Sequence, residues 1–209
     1  MMSLTRRRFS ALGLAAAATA ALPIPAFALT QSQARQLVDR AVGDINAIIS
    51  SGGSEDQMIR RFRTVFDDYA HTAAIAASAL GVAGRSASNS QRSAFAEAFG
   101  TYLANKYGRR FREFQGGEIT VQRTVPVNNY MEVQTVADLP GQSPFRVDFH
   151  VYDRPGRPVF FNLIVEGVNM LVSERQEIGA MLDRRGGDLD ALAGLEHLVR
   201  RRMIARGQI

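Results

Sequence analysis

From residue 30 to residue 114, hydrophobic positions recur every three to four residues, which is the spacing of one buried helix face. They predict four helices, at residues 30–49, 54–69, 72–81 and 88–114. Thr30 can cap the first helix, and Ser54 and Ser88 are each followed three residues later by glutamine, the capping box of a helix N-terminus. The third, alanine-rich segment ends at Gly81, a residue type that often terminates helices.

At Gly117 the hydrophobic period changes from 3.6 to 2, the period of a half-buried strand. The alternation predicts strands at residues 118–125, 130–138, 145–153 and 159–167. The third strand is the clearest, with four apolar residues on one face and Arg146, Asp148, His150 and Tyr152 on the other. The fourth is richest in apolar residues and is therefore expected to be central. Gly and Pro between these segments favour an antiparallel meander of four to five strands with one apolar face.

Two closing helices are predicted after the sheet. Residues 168–172 lead into a capping box from Ser173 to Gln176, which predicts a helix at residues 173–185. Asp188 can cap a last helix whose leucines point inward. The fold class is therefore α+β: N-terminal helices, a curved antiparallel meander, and two C-terminal helices, similar to an NTF2-like sheet with a helical cover.

The N-terminus has the pattern of an export signal. Three arginines, Arg6 to Arg8, precede an apolar segment from Leu12 to Leu22, and residues 26–28 form an Ala-x-Ala cleavage site. The arginine pair favours the twin-arginine route, with an arginine-rich general secretory signal as the alternative. Residues 1–28 are thus expected to be a signal peptide, and residues 29–209 a single soluble domain in the periplasm.

Composition excludes several classes of site. The chain has no cysteine, which excludes disulfides, thiolate metal sites and a lipoprotein anchor. Its charge of +5 falls to +2 without the three leader arginines, because 22 basic residues then face 20 acidic ones. This near-neutral balance argues against binding of nucleic acid.

No catalytic motif is present. The chain lacks HExxH, G-x-S-x-G and a phosphate-binding glycine loop, and its histidines, His71, His150 and His197, are far apart in sequence. We therefore predict no catalytic residue, no metal site and no cofactor. Two alternatives stay open: a pocketed isomerase or hydrolase using an inward polar group such as Tyr102 or His150, and an interaction module with a solidly packed core.

Three segments resemble the MlaC family of periplasmic phospholipid-binding proteins, also called the toluene-tolerance ABC-transport auxiliary family. They are FRTVFDDYAHTAAIAASALG, SQRSAFAEAFGTYLANKYGRRFREFQGG and VFFNLIVEGVNMLVSERQEIGAML. The run from Glu166 to Asn169, and Arg175 after it, match the most specific part of the pattern. The chain departs from it at Asn162, where the family has aspartate, and at Glu174, where it has an aromatic residue; a common tryptophan is also missing.

The resemblance implies a lipid carrier between an inner-membrane ABC transporter complex and an outer-membrane lipoprotein complex. Phospholipid is the expected cargo, and hopanoid-associated members of the family make a polycyclic lipid the alternative. Two acyl chains carry roughly 30 methylenes, and at about 0.8 kcal/mol each these oppose passage through water by about 24 kcal/mol. A carrier therefore needs a continuous apolar cavity of about 1,000 Å³ or more.

The residues expected to line this cavity lie on the fourth helix, on the strands and after the last strand. They are Phe99, Tyr102, Leu103, Phe111, Val121, Val133, Val147, Phe149, Val151, Phe161, Leu163, Val168 and Met170. Four arginines, Arg109, Arg110, Arg146 and Arg175, are candidates for contacts with a lipid head group or a partner protein.

Overall fold

The computed structural model of the protein describes residues 29–154 and 156–192. The predicted signal peptide, residues 1–28, lies outside this range, as do residues 193–209. The helices are α1 (Gln31–Ser50), α2 (Glu55–Tyr69), α3 (Thr72–Leu80), α4 (Ala83–Ser86), α5 (Asn89–Gly108) and α6 (Met170–Asp183), with 3-10 turns at Arg109–Arg112 and Asp190–Leu192. The strands are β1 (Glu118–Val127), β2 (Tyr130–Asp138), β3 (Phe145–Arg154), β4 (Arg157–Val165) and β5 (Val168–Asn169).

The predicted caps of the first, second and fourth helices are confirmed. Ser54 caps α2 and Ser88 caps α5, each in a reciprocal capping box with the glutamine three residues later. Thr30 forms a third capping box at the start of α1. The helix α3 begins after His71 without a side-chain cap and ends before Gly81, whose φ of +58° suits glycine. The local signals thus fix where α1, α2 and α5 begin.

Two predicted helix boundaries are wrong. The fourth helix was expected to reach residue 114, but α5 ends at Gly108 and continues only as a 3-10 turn. The closing helix begins three residues before the expected Ser173, because the side chain of Asn169 accepts a hydrogen bond from the Val172 N–H at 3.2 Å. Asp188 accepts a hydrogen bond from the Asp190 N–H at 3.0 Å and caps a 3-10 turn; the rest of the predicted last helix lies outside the described residues.

The predicted meander is confirmed, since the sheet has the antiparallel order β1-β2-β3-β4-β5. Register shifts at Val121/Arg123 and at His150/Val151 interrupt two of the strand pairs, and such bulges bend a sheet. The strand β4 is less central than expected, because its outer neighbour β5 has two residues. Further along the same edge of β4, Ala70 forms an isolated β-bridge with Phe160. The α2–α3 junction therefore covers the part of this edge that β5 does not reach, which accounts for the apolar character of β4.

One face of the sheet packs against the helices. Val133, Phe149 and Phe160 join residues of α1, α3, α5 and α6 in the main core. The helix α1 is fixed to the outer strand β1, because the Asn46 side chain hydrogen-bonds both the N–H and the carbonyl of Ile119, at 2.9 and 2.8 Å. A second apolar cluster lies where α1, α2 and the turn after α5 meet. No helix within residues 29–154 and 156–192 is both long and apolar enough to cross a membrane.

Candidate functional site

The helix α3 separates two cavities. The larger, about 550 Å³, lies between α2, α3 and α5, and we call it the helical groove. The smaller, about 250 Å³, lies between α3, the start of α6 and the face of the sheet that points away from α1. We call it the aromatic cavity. Ala73 and Ala77 of α3 line the groove, whereas Ala74 and Ser78 line the aromatic cavity. The two cavities are therefore divided by one helix with small side chains.

The helical groove has an apolar floor and charged walls. Ala73, Ala77, Leu80 and Ala96 contribute the apolar surface. The Arg63 guanidinium donates to Asp67 at 2.7 Å, to Thr101 at 2.7 Å and to Glu97 at 3.0 Å. The Arg92 guanidinium donates to backbone carbonyls and to Asn89. Because these cations are already paired within the protein, the groove has no concentrated charge for an ionic ligand.

Three aromatic rings line the aromatic cavity: Tyr130 on β2, Tyr152 on β3 and Phe161 on β4. The Phe161 ring centroid lies 5.6 Å from that of Tyr130 and 5.3 Å from that of Tyr152, with interplanar angles of 83° and 82°. Ala74, Ser78, Asn129 and Leu171 complete the lining. Edge-to-face contacts of this kind hold rings in fixed orientations. The cavity wall is therefore aromatic and preorganised.

Two histidines flank the ring cluster. His71, at the start of α3, bonds through Nδ1 to the Tyr152 hydroxyl and stacks on that ring. His150 stacks against Tyr130 with centroids 4.5 Å apart. Burial lowers the pKa of both histidines, with Arg154 adding to the effect at His71 and with Glu132 and Asp148 opposing it at His150. Both rings are therefore expected to be neutral at pH 7.

A band of polar side chains crosses the sheet beside the aromatic rings. Glu132 Oε2 lies 3.6 Å from His150 Nε2, and the Asn162 amide lies 3.5 Å from His150 Nδ1. Asn162 Oδ1 also accepts hydrogen bonds from the backbone N–H groups of Leu163 and Leu171, which connects the sheet to the start of α6. His150 is buried but lines neither cavity. This placement gives no support to His150 as a catalytic base.

Between α5 and α6 lies a partly buried charged cluster around Lys106. Its ammonium is 2.7 Å from both Glu174 and Glu177 and donates to the Tyr102 hydroxyl at 3.2 Å. The Tyr107 hydroxyl donates to Glu174. Burial, followed by the nearby glutamates, raises the pKa of Tyr102 and of Tyr107. Tyr102 thus stays protonated within a packed network, which gives no support to a role as catalytic base.

Sequence reasoning did not predict this cluster. Its signals were present: Lys106 is the only lysine in the chain, and Glu174 replaces an aromatic residue of the family pattern. Glu174 and Glu177, three residues apart on a helix, share one face. Their common partner on α5 is known only once the two helices are packed together. Among the described residues, no group of histidine, aspartate and glutamate side chains could hold a metal ion.

The residues predicted to line a lipid cavity fall into four groups. Most belong to the main core or pack against it: Phe99, Tyr102, Leu103, Val121, Val133, Val147, Phe149, Val151 and Leu163. Phe111 lies in the second cluster, 4.9 Å from the ring of Phe62. Phe161 lines the aromatic cavity. Met170 is half-buried, and Val168 is 54% exposed.

The expected continuous cavity of about 1,000 Å³ differs from the two cavities found. Aromatic side chains occupy the space between sheet and helices, where Phe95, Phe99 and Tyr102 stack along α5 with centroids 5.5 and 5.9 Å apart. Phe160 packs between Phe149 and Phe66. The two cavities therefore lie on either side of α3, and the space between α1 and the sheet is filled by side chains.

The four candidate arginines lie at three separate places, with Arg109 and Arg110 adjacent in the 3-10 turn after α5. Arg109 pairs with Glu55 at 3.4 Å, and Arg110 pairs with Glu113 at 3.6 Å. Arg146 pairs with Asp148 at 2.6 Å on the sheet face opposite α1. Arg175 donates from Nε to the Ser78 carbonyl at 2.7 Å, and Ser78 lines the aromatic cavity. Of the four, Arg175 is thus the arginine that the structure brings to the edge of a cavity.

Comparison with known proteins identifies the family. The sequence profile described as MlaC protein matches residues 35–195. Among solved structures, the chain is similar to the phospholipid-binding protein of Ralstonia solanacearum, determined in complex with a phospholipid. The two chains share 17% sequence identity and a TM-score of 0.67, over 81% of this chain and 96% of that chain. That likeness shows a common fold, and the profile match over most of the sequence shows that this chain belongs to the MlaC family.

Proposed function

We propose that this protein is a carrier that binds phospholipid through its acyl chains and moves it across the periplasm. The family match over residues 35–195 is the observation that carries the proposal. The phospholipid bound to the Ralstonia solanacearum protein, which has the same fold, supports phospholipid as the cargo. The twin-arginine pattern of residues 1–28 supports export to the periplasm.

Transfer of a lipid between membranes breaks no covalent bond, so a carrier needs no catalytic group. Its task is to keep the two acyl chains out of water, where their exposure would cost roughly 24 kcal/mol of free energy. The polar groups considered above for catalysis, Tyr102 and His150, are held in hydrogen-bonded or stacked arrangements outside the two cavities. We therefore propose that the protein is not an enzyme.

The acyl chains are proposed to enter beside α3. This helix has five alanines among its nine residues and no side-chain N-cap, and four of its side chains are buried in the main core. Because an alanine side chain has few atoms that attract its neighbours, we propose that α3 can move. A displacement of α3 joins the helical groove to the aromatic cavity and opens both toward the main core. Phe99, Leu103 and Phe149 then become part of the lining, whereas the exposed Val168 and the separate Phe111 do not.

The carrier is proposed to exchange its cargo with an inner-membrane ABC transporter complex and an outer-membrane lipoprotein complex. Such exchange requires each complex to receive the acyl chains without exposing them to water. A mouth beside α3 and α6 suits this requirement, because Val82 just after α3, Val168 on β5 and Val172 on α6 are exposed apolar residues. Burying them against a partner would add apolar contact around the opening.

The proposal is tested by identifying the lipid that the protein carries. The exported protein is purified without detergent and extracted with organic solvent, and the extract is analysed by mass spectrometry. We expect phospholipid in stoichiometric amount, and a polycyclic lipid in its place would identify the hopanoid type of carrier. Absence of lipid, both as purified and after delipidation and reloading from phospholipid vesicles, would contradict the proposal.

A further inference from the structure

The aromatic cavity has the composition of a site for a quaternary ammonium group. Such groups bind to the faces of aromatic rings, because the negative π faces attract the cation and its methyl groups need no hydrogen bonds. Tyr130 and Tyr152 both stand nearly perpendicular to Phe161, and all three rings line the cavity. Rings in this arrangement form adjoining walls of a box.

The remaining lining favours a methylated cation over a primary ammonium. Ala74, Leu171, Ser78 and Asn129 complete the wall, and no carboxylate is among the residues that line this cavity within the described chain. A primary ammonium would lose hydrogen bonds to water there without gaining an ionised acceptor. A trimethylammonium group has no N–H to satisfy.

Charged groups of both signs lie around the cavity. The Glu132 carboxylate lies 3.6 Å from His150, whose ring packs against Tyr130. Burial, followed by the positive charge of Arg154, lowers the pKa of His71, the ring that stacks on Tyr152. Arg175 donates from Nε to the carbonyl of Ser78, a lining residue, and its side chain is exposed. An exposed guanidinium is therefore within reach of an anionic group held at the cavity.

We propose that the aromatic cavity binds the trimethylammonium group of a phosphocholine moiety, with the phosphate at Arg175. This inference rests on the proposed function for its source, a choline phospholipid, and adds a preference for the head group. The volume of about 250 Å³ leaves room for a head group but not for two acyl chains. The chains are accommodated elsewhere, beside α3.

The test compares head groups on identical acyl chains. The delipidated protein is incubated with mixed vesicles containing equal amounts of phosphatidylcholine and phosphatidylethanolamine, and the lipid recovered with the protein is measured by mass spectrometry. We expect enrichment of phosphatidylcholine on the order of tenfold, the preference that a cation–π site supports. A parallel titration with free phosphocholine shows whether the cavity takes the group from a lipid only or also from a soluble molecule.

A pair of variants assigns the preference to the cavity. Phe161→Leu keeps an apolar side chain but removes the ring, and we expect it to abolish the enrichment while total bound lipid is retained. The matched control, Phe145→Leu on β3, also replaces a partly buried ring of the sheet and should keep the enrichment. Tyr130→Phe keeps the aromatic ring and should therefore also keep the enrichment of phosphatidylcholine.

The outcomes separate the two proposals. Equal recovery of both lipids by the wild-type protein overturns the head-group inference and leaves the carrier proposal standing. Enrichment that survives Phe161→Leu also overturns it, because the preference then arises elsewhere. Recovery of neither lipid contradicts the proposed phospholipid carrier. The wild-type comparison needs no variant, so the inference stays testable if Phe161→Leu fails to fold.

Discussion

At the scale of single residues, Lys106 makes three hydrogen bonds and connects two helices. It lies on α5 and joins two glutamates of α6, one of which, Glu174, is only 3% exposed. A buried carboxylate is costly unless it is paired, so Lys106 and the Tyr107 hydroxyl together compensate Glu174. The position of α6 on α5 therefore depends on a charge network as well as on apolar packing.

Replacing Lys106 by methionine should destabilise the protein by about 2–3 kcal/mol, because Glu174 then loses its cationic partner inside the fold. The double variant Lys106→Met/Glu174→Gln should recover part of this loss, since the uncompensated charge is also removed. Chemical denaturation of the two single variants and the double variant measures the coupling.

Arg110→Met is the control, because its pair with Glu113 is exposed on both sides and should contribute less than about 1 kcal/mol. Additive losses in the double variant at Lys106 and Glu174 would show that the two side chains do not act together.

At the scale of elements, the chain changes from helices to sheet at Gly117. A Cβ placed there would lie 2.7 Å from the Asp138 carbonyl oxygen and 2.7 Å from Leu139 Cδ2, at the end of β2. The start of β1 and the end of β2 therefore approach each other more closely than any other residue type allows. This contact sets the register from which the meander begins.

Gly117→Ala should lower the free energy of unfolding by about 2 kcal/mol, because backbone atoms have to move to admit the methyl group. Gly43→Ala is the matched control: this glycine lies inside α1 with no atom within 4 Å of the added carbon. There the substitution should stabilise by about 0.5–1 kcal/mol through helix propensity. Thermal denaturation that gives the same sign for both variants would be inconsistent with a close contact at Gly117.

At the scale of the whole molecule, the main feature is the position of α3 between two cavities. The large helices and the sheet pack through aromatic and branched side chains, whereas α3 presents alanine and serine to the aromatic cavity, and two alanines, a threonine and a leucine to the helical groove. Small side chains leave volume unfilled, and they also make the helix easier to displace, because each one has few atoms that attract its neighbours. In the proposed carrier, the space for the lipid and the wall that moves would both come from this alanine-rich segment.

Filling the cavities should block lipid binding without unfolding the protein. Ala77→Phe places a ring in the helical groove and Ala74→Phe places one in the aromatic cavity, so each should lower the lipid recovered with the purified protein severalfold. Ala47→Phe, on the exposed face of α1, is the matched control and should carry lipid as the wild type does. Mass spectrometry of the extracts measures the lipid, and circular dichroism verifies the fold. Wild-type lipid content in a folded Ala74→Phe/Ala77→Phe variant would exclude the route beside α3.

The local pattern of the sequence accounts for most of the elements. Thr30, Ser54 and Ser88 cap the helices that they were expected to cap, and the alternation in residues 130–138 gives the bounds of β2. Caps and periodicity are properties of neighbouring residues, so they can be read without the fold. The predicted start of α6 was wrong by three residues, because Asn169 and Ser173 are both residue types that can cap a helix. The structure uses Asn169, and the Leu171 N–H then donates a hydrogen bond to the Asn162 side chain on β4.

The sequence by itself therefore determined the α+β class, the meander order and, through its resemblance, the family. Only the tertiary structure decided which apolar side chains fill the core and which border a cavity, since Phe160 and Phe161 are adjacent and identical yet point to opposite faces. It also decided that Lys106 meets Glu174 and that Arg175 reaches Ser78, pairs separated by 68 and 97 residues. Such distant contacts depend on how whole elements pack, and no local pattern encodes them.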